Sequence, residues 1–106
     1  MTEFVELTDE NFDSTIAATP AGFVDFYAGW CGACRMAAPM FKRVASEMNV
    51  PVFKIDAEKN THARGQVEIA NLPTLVAIKD GKIVGALCTT KEEGLRAFLM
   101  EHGVGK

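Results

Sequence analysis

Cysteine is scarce in this chain. Three residues in 106, an odd number, cannot make the paired framework that staples small secreted domains. Concentrated charge is missing too. The 11 Lys and Arg are scattered, no run of five like charges occurs, and the net charge is −3, which argues against a nucleic-acid partner. No apolar stretch approaches the length that crosses a bilayer, so no membrane partner is expected. The start, Met1-Thr2-Glu3-Phe4, has neither a basic segment nor a long apolar one behind it, and no leader is expected. There is no cofactor-binding fingerprint, internal repeat or low-complexity segment. These absences leave a soluble protein of a reducing compartment. With 48% hydrophobic residues, the chain has enough apolar content for one globular domain over residues 1–106.

Two of the few cysteines stand two residues apart, in Trp30-Cys31-Gly32-Ala33-Cys34. Ahead of them, Phe23-Val24-Asp25-Phe26-Tyr27-Ala28 reads as a strand. Behind them, Met36, Ala37, Met40, Phe41, Val44, Ala45 and Met48 recur at three and four spacing, which predicts a helix from Cys34 to about Met48. The pair therefore sits where a strand hands over to a helix. The first amides of a helix lack partners and its dipole is positive there, so a thiolate is stabilised, and the thiolate is the reactive form of cysteine. In that context a C-x-x-C pair reads as a redox dithiol.

Asp25 interrupts an apolar strand. Taken alone, such a carboxylate faces solvent, because burying its charge is costly. Next to Cys31 and Cys34 the buried reading is preferred, since a buried Asp has a raised pKa and can exchange a proton with a thiol near neutral pH. Pro39 lies inside the helical pattern, where it removes a backbone hydrogen bond and bends the helix.

Elsewhere the periodicities predict a short edge strand at Phe4-Val5-Glu6-Leu7, then a helix capped by Thr8 with Phe12, Ile16 and Ala17 on its apolar face, ended by Thr19-Pro20. Gly22 is expected as the turn into the second strand. A third strand is Val52-Phe53-Lys54-Ile55-Asp56. Lys54 is either an ordinary exposed lysine or a neighbour that tunes Asp25. Residues 57–66 suggest a short surface helix, with His62 a solvated side chain and not a ligand. Leu72-Pro73-Thr74 opens the apolar strand Leu75–Ile78, and Asp80-Gly81 is a two-residue hairpin turn into a strand from Lys82 to Cys88. Thr90-Lys91-Glu92-Glu93 has the capping-box pattern before a last helix. Cys88 is expected as a buried strand-end residue, because free cysteine packs as a small hydrophobe. The order β-α-β-α-β-α-β-β-α predicts an α/β fold, a central mixed sheet with helices on both faces.

The run Val24-Asp25-Phe26-Tyr27-Ala28-Gly29-Trp30-Cys31-Gly32-Ala33-Cys34-Arg35-Met36-Ala37-Ala38-Pro39 resembles the active-site segment of the thioredoxin family. Phe53-Lys54-Ile55-Asp56 resembles that family's third strand, and Leu72-Pro73-Thr74 its cis-proline loop. The resemblance covers essentially the whole chain. It implies a thioredoxin fold, with five strands and four helices, and a cytoplasmic disulfide reductase that acts in electron transport and cell redox homeostasis. Cys31 is implied as nucleophile, Cys34 as resolving thiol, Asp25 as buried acid/base and Lys54 as its neighbour. Pro73 is implied as the cis residue facing the disulfide and Trp30 as a substrate-side cover. Trp30, Gly32, Ala33, Leu72 and Pro73 are the candidate substrate contacts, and Lys54 and Pro39 the tuning residues. Implied partners are disulfide-containing proteins and a thioredoxin reductase-like electron donor. No cofactor or metal is expected beyond the Cys31–Cys34 disulfide, and the chain is expected to be a monomer.

Three positions depart from the family's usual pattern. Ala33 replaces proline, Asn71 stands where glycine is common, and Leu87-Cys88-Thr89-Thr90 lacks the usual loop glycine. The first bears on the redox potential, because alanine restores an amide donor near the Cys31 sulfur. The other two bear on partner choice. Rival readings are a metal or cluster site, a binding module with an incidental dithiol, and a thiol oxidase or isomerase on the same fold. One C-x-x-C supplies only two of the four ligands that structural zinc needs.

Overall fold

The apolar patterns resolve into nine elements. The computed structural model describes residues 3–105, so Met1, Thr2 and Lys106 of the expected domain lie outside the described residues. The elements are β1 (Phe4–Leu7), α1 (Phe12–Ala17), β2 (Ala21–Tyr27), α2 (Gly32–Met48), β3 (Val52–Asp56), α3 (Thr61–Arg64), β4 (Thr74–Lys79), β5 (Lys82–Cys88) and α4 (Glu92–Glu101). This is the expected order. One five-stranded sheet is ordered β1-β3-β2-β4-β5. β3 runs parallel to β1 and β2, while β4 is antiparallel to β2 and β5. The sheet is therefore mixed, with β2 in its middle.

Alternation along β2 divides the core, because successive side chains point to opposite faces. Phe23 packs with Val52, Leu75 and Ala77 against Phe41 and Val44 of α2 and Leu95 and Leu99 of α4. Val24 and Phe26 face the other way, toward Leu7, Ile55 and Val76, under Phe12 and Ile16 of α1 and Ala63 of α3. Asp25 shares the face of Phe23, so it lies on the α2 side of a strand that is covered on both sides. The hairpin turn is made by Asp80 and Gly81 at φ of 54° and 76°, both left-handed, as an Asp-Gly connection requires. A Cβ on Gly81 would also come within 2.7 Å of the Ala17 carbonyl oxygen.

Several boundaries differ from the expectation, most of them because a side chain is engaged elsewhere. Thr8 does not cap α1. Its amide donates to Asn11 Oδ1 at 2.8 Å, and its carbonyl accepts from the Asn11 amide at 3.1 Å, which closes a turn and delays the helix to Phe12. Asp9 serves α3 instead, accepting from the His62 and Ala63 amides at 3.1 and 2.8 Å. The surface helix expected over 57–66 is only Thr61–Arg64, because Asp56 Oδ1 accepts from the amides of Glu58 and Lys59 and holds that stretch as a turn. His62 is exposed and bonds Asp13 at 2.8 Å. Gly22 lies inside β2 and not in a turn; a Cβ there would meet the Pro51 carbonyl oxygen at 2.8 Å. The capping box at Thr90 does not form. Lys91 is the cap residue of α4, its amide donates to Thr89 Oγ1 at 3.0 Å, and Glu92 bonds Arg43 and Arg96, tying α4 to α2.

Candidate active site at the end of β2

The helix that follows β2 begins earlier than its apolar spacing suggests, and the reason is chemical. Cys31 takes the cap position of α2 with extended backbone angles, and its Sγ accepts from the Cys34 amide at 3.1 Å. This is the place a serine or aspartate oxygen fills in an ordinary cap. The sulfur thus receives one of the amides that a helix start leaves unpaired. Cys31 and Cys34 are joined as a disulfide, with 5.3 Å between their Cα atoms. The donor onto Cys31 belongs to Cys34. The Ala33 amide, expected in that role, makes no bond to the sulfur among the described residues.

Both cysteines are buried, and Ala28, Tyr27 and Leu72 pack around them. The Leu72–Pro73 peptide bond is cis. Pro73 is buried, and Thr74 Oγ1 donates to the Asn71 carbonyl at 2.6 Å, closing that loop. Gly32 and Ala33 are exposed, as is Trp30, two-thirds of whose surface is open (67%) although its Nε1 donates to Glu58 Oε2 at 2.7 Å. Leu72 is thus packed directly on the cysteine pair, with exposed Trp30, Gly32 and Ala33 in the same chain segment as the disulfide. Pro39 lies inside α2, where it has no amide to offer the Arg35 carbonyl, and is exposed.

Asp25 is 2% exposed, and among the described residues its Oδ1 has no hydrogen-bond partner. Burial pushes its carboxyl up from 3.8 to about 7, offset in part by the Lys54 charge and reinforced by Glu6. Asp25 and Cys34 line one cavity of about 110 Å³, together with Tyr27, Arg35, Ala38 and Lys54. A carboxyl poised near neutrality therefore shares a small space with one of the two thiols. Lys54 is neither fully exposed nor paired with Asp25. Its side chain is 38% exposed, and its nearest carboxylate is Glu6, at 3.7 Å.

Glu6, Tyr27, Arg35 and Glu58 were not singled out as candidates by the sequence. For Glu6 a signal existed, since it shares the alternation of an edge strand that a parallel sheet sets beside Lys54. Nothing in the spacing paired Glu58 with Trp30.

Cys88 corrects an expectation. It is exposed, because β5 is an edge strand whose alternate residues Lys82, Val84, Ala86 and Cys88 face away from the core. In the oxidised protein it is the free thiol. A thiol reagent should titrate about one group per oxidised wild-type chain and none in Cys88→Ala, whose disulfide turnover should match wild type. A Cys88→Ala protein with lost turnover would place Cys88 in the reaction.

Comparison with known proteins agrees with this geometry. The protein-family model described as Thioredoxin matches residues 3–101. A thioredoxin of Chlamydia pneumoniae is 38% identical over 98 residues, covering 91% of this chain and 95% of that protein. A probable protein disulfide-isomerase A4 of Caenorhabditis elegans is 42% identical over 78 residues, 74% of this chain but only 13% of that longer protein. The crystal structure of Schistosoma mansoni thioredoxin superposes with a TM-score of 0.83 at 27% identity, covering 93% of this chain and 94% of that one.

Proposed function

Because the chain belongs to the thioredoxin family of thiol–disulfide oxidoreductases, we propose that it reduces disulfides of protein substrates through Cys31 and Cys34 and is recycled by a separate reductase. The observation that carries this reading is the cavity shared by Asp25 and Cys34 beside the helix-capping Cys31. Cys31 is the nucleophile. As a thiolate it keeps the Cys34 amide as donor, and a charge-assisted bond of this kind favours the ionised sulfur. Its attack forms a mixed disulfide with the substrate and releases the substrate's first thiolate. Cys34 then gives its proton toward Asp25 through the shared cavity, attacks the Cys31 sulfur, and releases the second substrate thiol. The dithiol is oxidised, the substrate is reduced by two electrons, and no bound cofactor takes part.

Trp30, Gly32, Ala33, Leu72 and Pro73 form the substrate-contact surface, supported by the exposure of the first three and the packing of Leu72 on the disulfide. Pro39 and Lys54 tune the site, Lys54 through its charge near Asp25. Residues 1–106 act as one domain and as a monomer in the cytoplasm, where the protein serves electron transport and redox homeostasis. A single sheet covered on both faces supports the one-domain reading. The test is turnover of a protein disulfide with a dithiol or reductase as donor, with the reduction potential measured against a glutathione couple. Absence of turnover would defeat the reductase reading. A potential near that of isomerases, on the order of −180 mV, would favour the second reading that the likeness to the Caenorhabditis elegans protein raises.

Ala33 gives a finer prediction. Proline at this first-turn position would remove one unpaired amide near the sulfur but leave the Cys34 donor in place. The electrostatic loss is that of part of a helix end, about 0.3–1 kcal/mol. With 30 mV equal to about 1.4 kcal/mol, Ala33→Pro should be more reducing by about 6–20 mV, with a higher Cys31 pKa. Redox equilibration of both proteins and an ultraviolet thiolate titration check it. An equally or less reducing variant would show that the first-turn amides do not set the potential.

A further inference from the structure

Glu6, Lys54 and Asp25 form one row across the sheet. Glu6 is the register partner of Lys54 between β1 and β3, and Asp25 is its partner between β2 and β3. The lysine stands between two carboxyl groups and has taken the outer one. Its Nζ lies 3.7 Å from Glu6 Oε1, above the rings of Phe4 and Tyr27 at 5.5 and 5.4 Å from their centroids. Tyr27 Oη donates to the other Glu6 oxygen at 2.6 Å. Burial first, and then that bond, push the Tyr27 phenol upward, so it remains a donor at physiological pH. Among the described residues no ion pair joins Lys54 to Asp25, and Asp25 Oδ1 is unpartnered.

This arrangement has a chemical consequence. An ammonium paired with a buried carboxylate stabilises its ionised form and makes it a poorer proton acceptor. In the resolving step the Cys34 S–H proton passes to the Asp25 carboxylate. The sulfur's electron pair makes the Cys34–Cys31 bond as the Cys31–substrate bond breaks. The departing thiolate carries the bonding pair and is then protonated. A lysine seated on Asp25 would oppose the first transfer.

We propose that Glu6, itself held by the Tyr27 hydroxyl, is a positioning residue that anchors the Lys54 ammonium over Phe4 and Tyr27 and so keeps it off the Asp25 carboxylate during thiol exchange. The inference rests on the reading of Asp25 as the proton acceptor for Cys34. The charged and titratable groups that face Asp25 are Lys54 from β3, Glu6 from β1, Tyr27 from its own strand, and Cys34 and Arg35 from α2; β4 presents Leu75. Arg35 lines the same cavity, but its Nη1 is engaged, donating to the Gly29 carbonyl at 2.9 Å, and its charge is not among those that shift Asp25. Lys54 is thus the cation left to be directed.

The experiment is a carboxyl-carbon NMR titration of Asp25 in the oxidised protein. It is paired with the pH profile of mixed-disulfide resolution, for wild type, Glu6→Gln, Lys54→Gln and the double variant. Glu6→Gln should move the Asp25 midpoint down by about one pH unit, and the resolution profile with it, as the released ammonium swings to Asp25. In the Lys54→Gln background the same change should move it less than half as far, and Tyr27→Phe should act in the direction of Glu6→Gln but more weakly. An unmoved Asp25 midpoint in Glu6→Gln overturns the proposal, as does an equal shift in both backgrounds, which would make Glu6 a bare charge acting directly. A midpoint that moves while the resolution profile stays put would uphold the anchoring of Lys54 and defeat Asp25 as proton acceptor.

Discussion

Cys34→Ser is expected to halt on its substrate, and Cys31→Ser never to engage it. Serine at position 31 places a hydroxyl at the helix cap, and a hydroxyl does not ionise near neutral pH, so the first attack is lost. Serine at position 34 leaves the Cys31 sulfur and its 3.1 Å amide donor in place, so attack proceeds and a mixed disulfide accumulates. Release then depends on a thiol from solution. Cys34 is held with its Cα 5.3 Å from that of Cys31, and groups so placed react at effective concentrations far above those of a free thiol. Steady-state turnover should fall by at least about 10³-fold. Mass spectrometry of the trapped adduct and turnover of a protein disulfide check both variants. If Cys34→Ser turned over normally, Cys34 would not be the resolving thiol, and if Cys34 were alkylated before Cys31 in the reduced wild type, Cys31 would not be the nucleophile; either result would overturn the assignment of roles.

Asp25→Asn should make the protein more stable and slower, with both effects dependent on pH. The carboxyl is held near 7 in the folded chain against 3.8 for an unperturbed group, mainly by burial. Between those values the unfolded chain releases this proton while the folded chain keeps it, so the folded state binds more protons and its stability falls as pH rises. The loss is absent below about pH 4 and complete above about pH 7. A difference of about three pH units amounts to on the order of 4 kcal/mol, a large share of the total for a domain of this size. Asparagine is neutral throughout and does not incur this loss. Denaturant unfolding of the oxidised proteins should show a gain of about 2–4 kcal/mol near pH 8 and less than about 1 kcal/mol near pH 4. Equal gains at both values would trace the effect to packing and not to ionisation. Resolution of the mixed disulfide should slow by on the order of 100-fold near neutral pH, the low end for loss of a general base. Kinetics unchanged over about pH 6–9 would leave Asp25 a bystander.

If Asp25 accepts the Cys34 proton as proposed, that step accounts for a polar row that runs from the edge strand to the central strand of the sheet. Glu6, Lys54 and Asp25 occupy the face on which Phe23, Val52 and Leu75 build the core, and their strands would pack more simply with apolar residues there. A buried ionisable group with an unpartnered oxygen is costly. On the proposed mechanism, its place in the cavity it shares with Cys34 ties that cost to the chemistry of the thiol.

The sequence by itself determined what depends on local pattern. Period-two and helical spacing set the order of the nine elements, and Asp80-Gly81 set the hairpin. The cysteine pair between an apolar strand and a helical pattern marked the reactive end of the chain. These features are read from neighbours in the chain, which is why they were legible. The tertiary structure alone decided how side chains were shared among competing partners. Asp9 caps α3 and not α1, because α3's first amides come within reach only once the chain has folded back. Cys88 is exposed because β5 is the last strand of the sheet, a fact of topology. The cap on Cys31 comes from Cys34 and not from Ala33 because helix geometry directs the third amide at the cap atom. Asp25 is raised to about 7 by a covering that several elements supply together. Lys54 turns to Glu6 and not to Asp25 because strands distant in sequence set both carboxylates beside it. Desolvation and competition for a charge depend on everything packed around a group, and in one dimension those neighbours are dispersed along the chain.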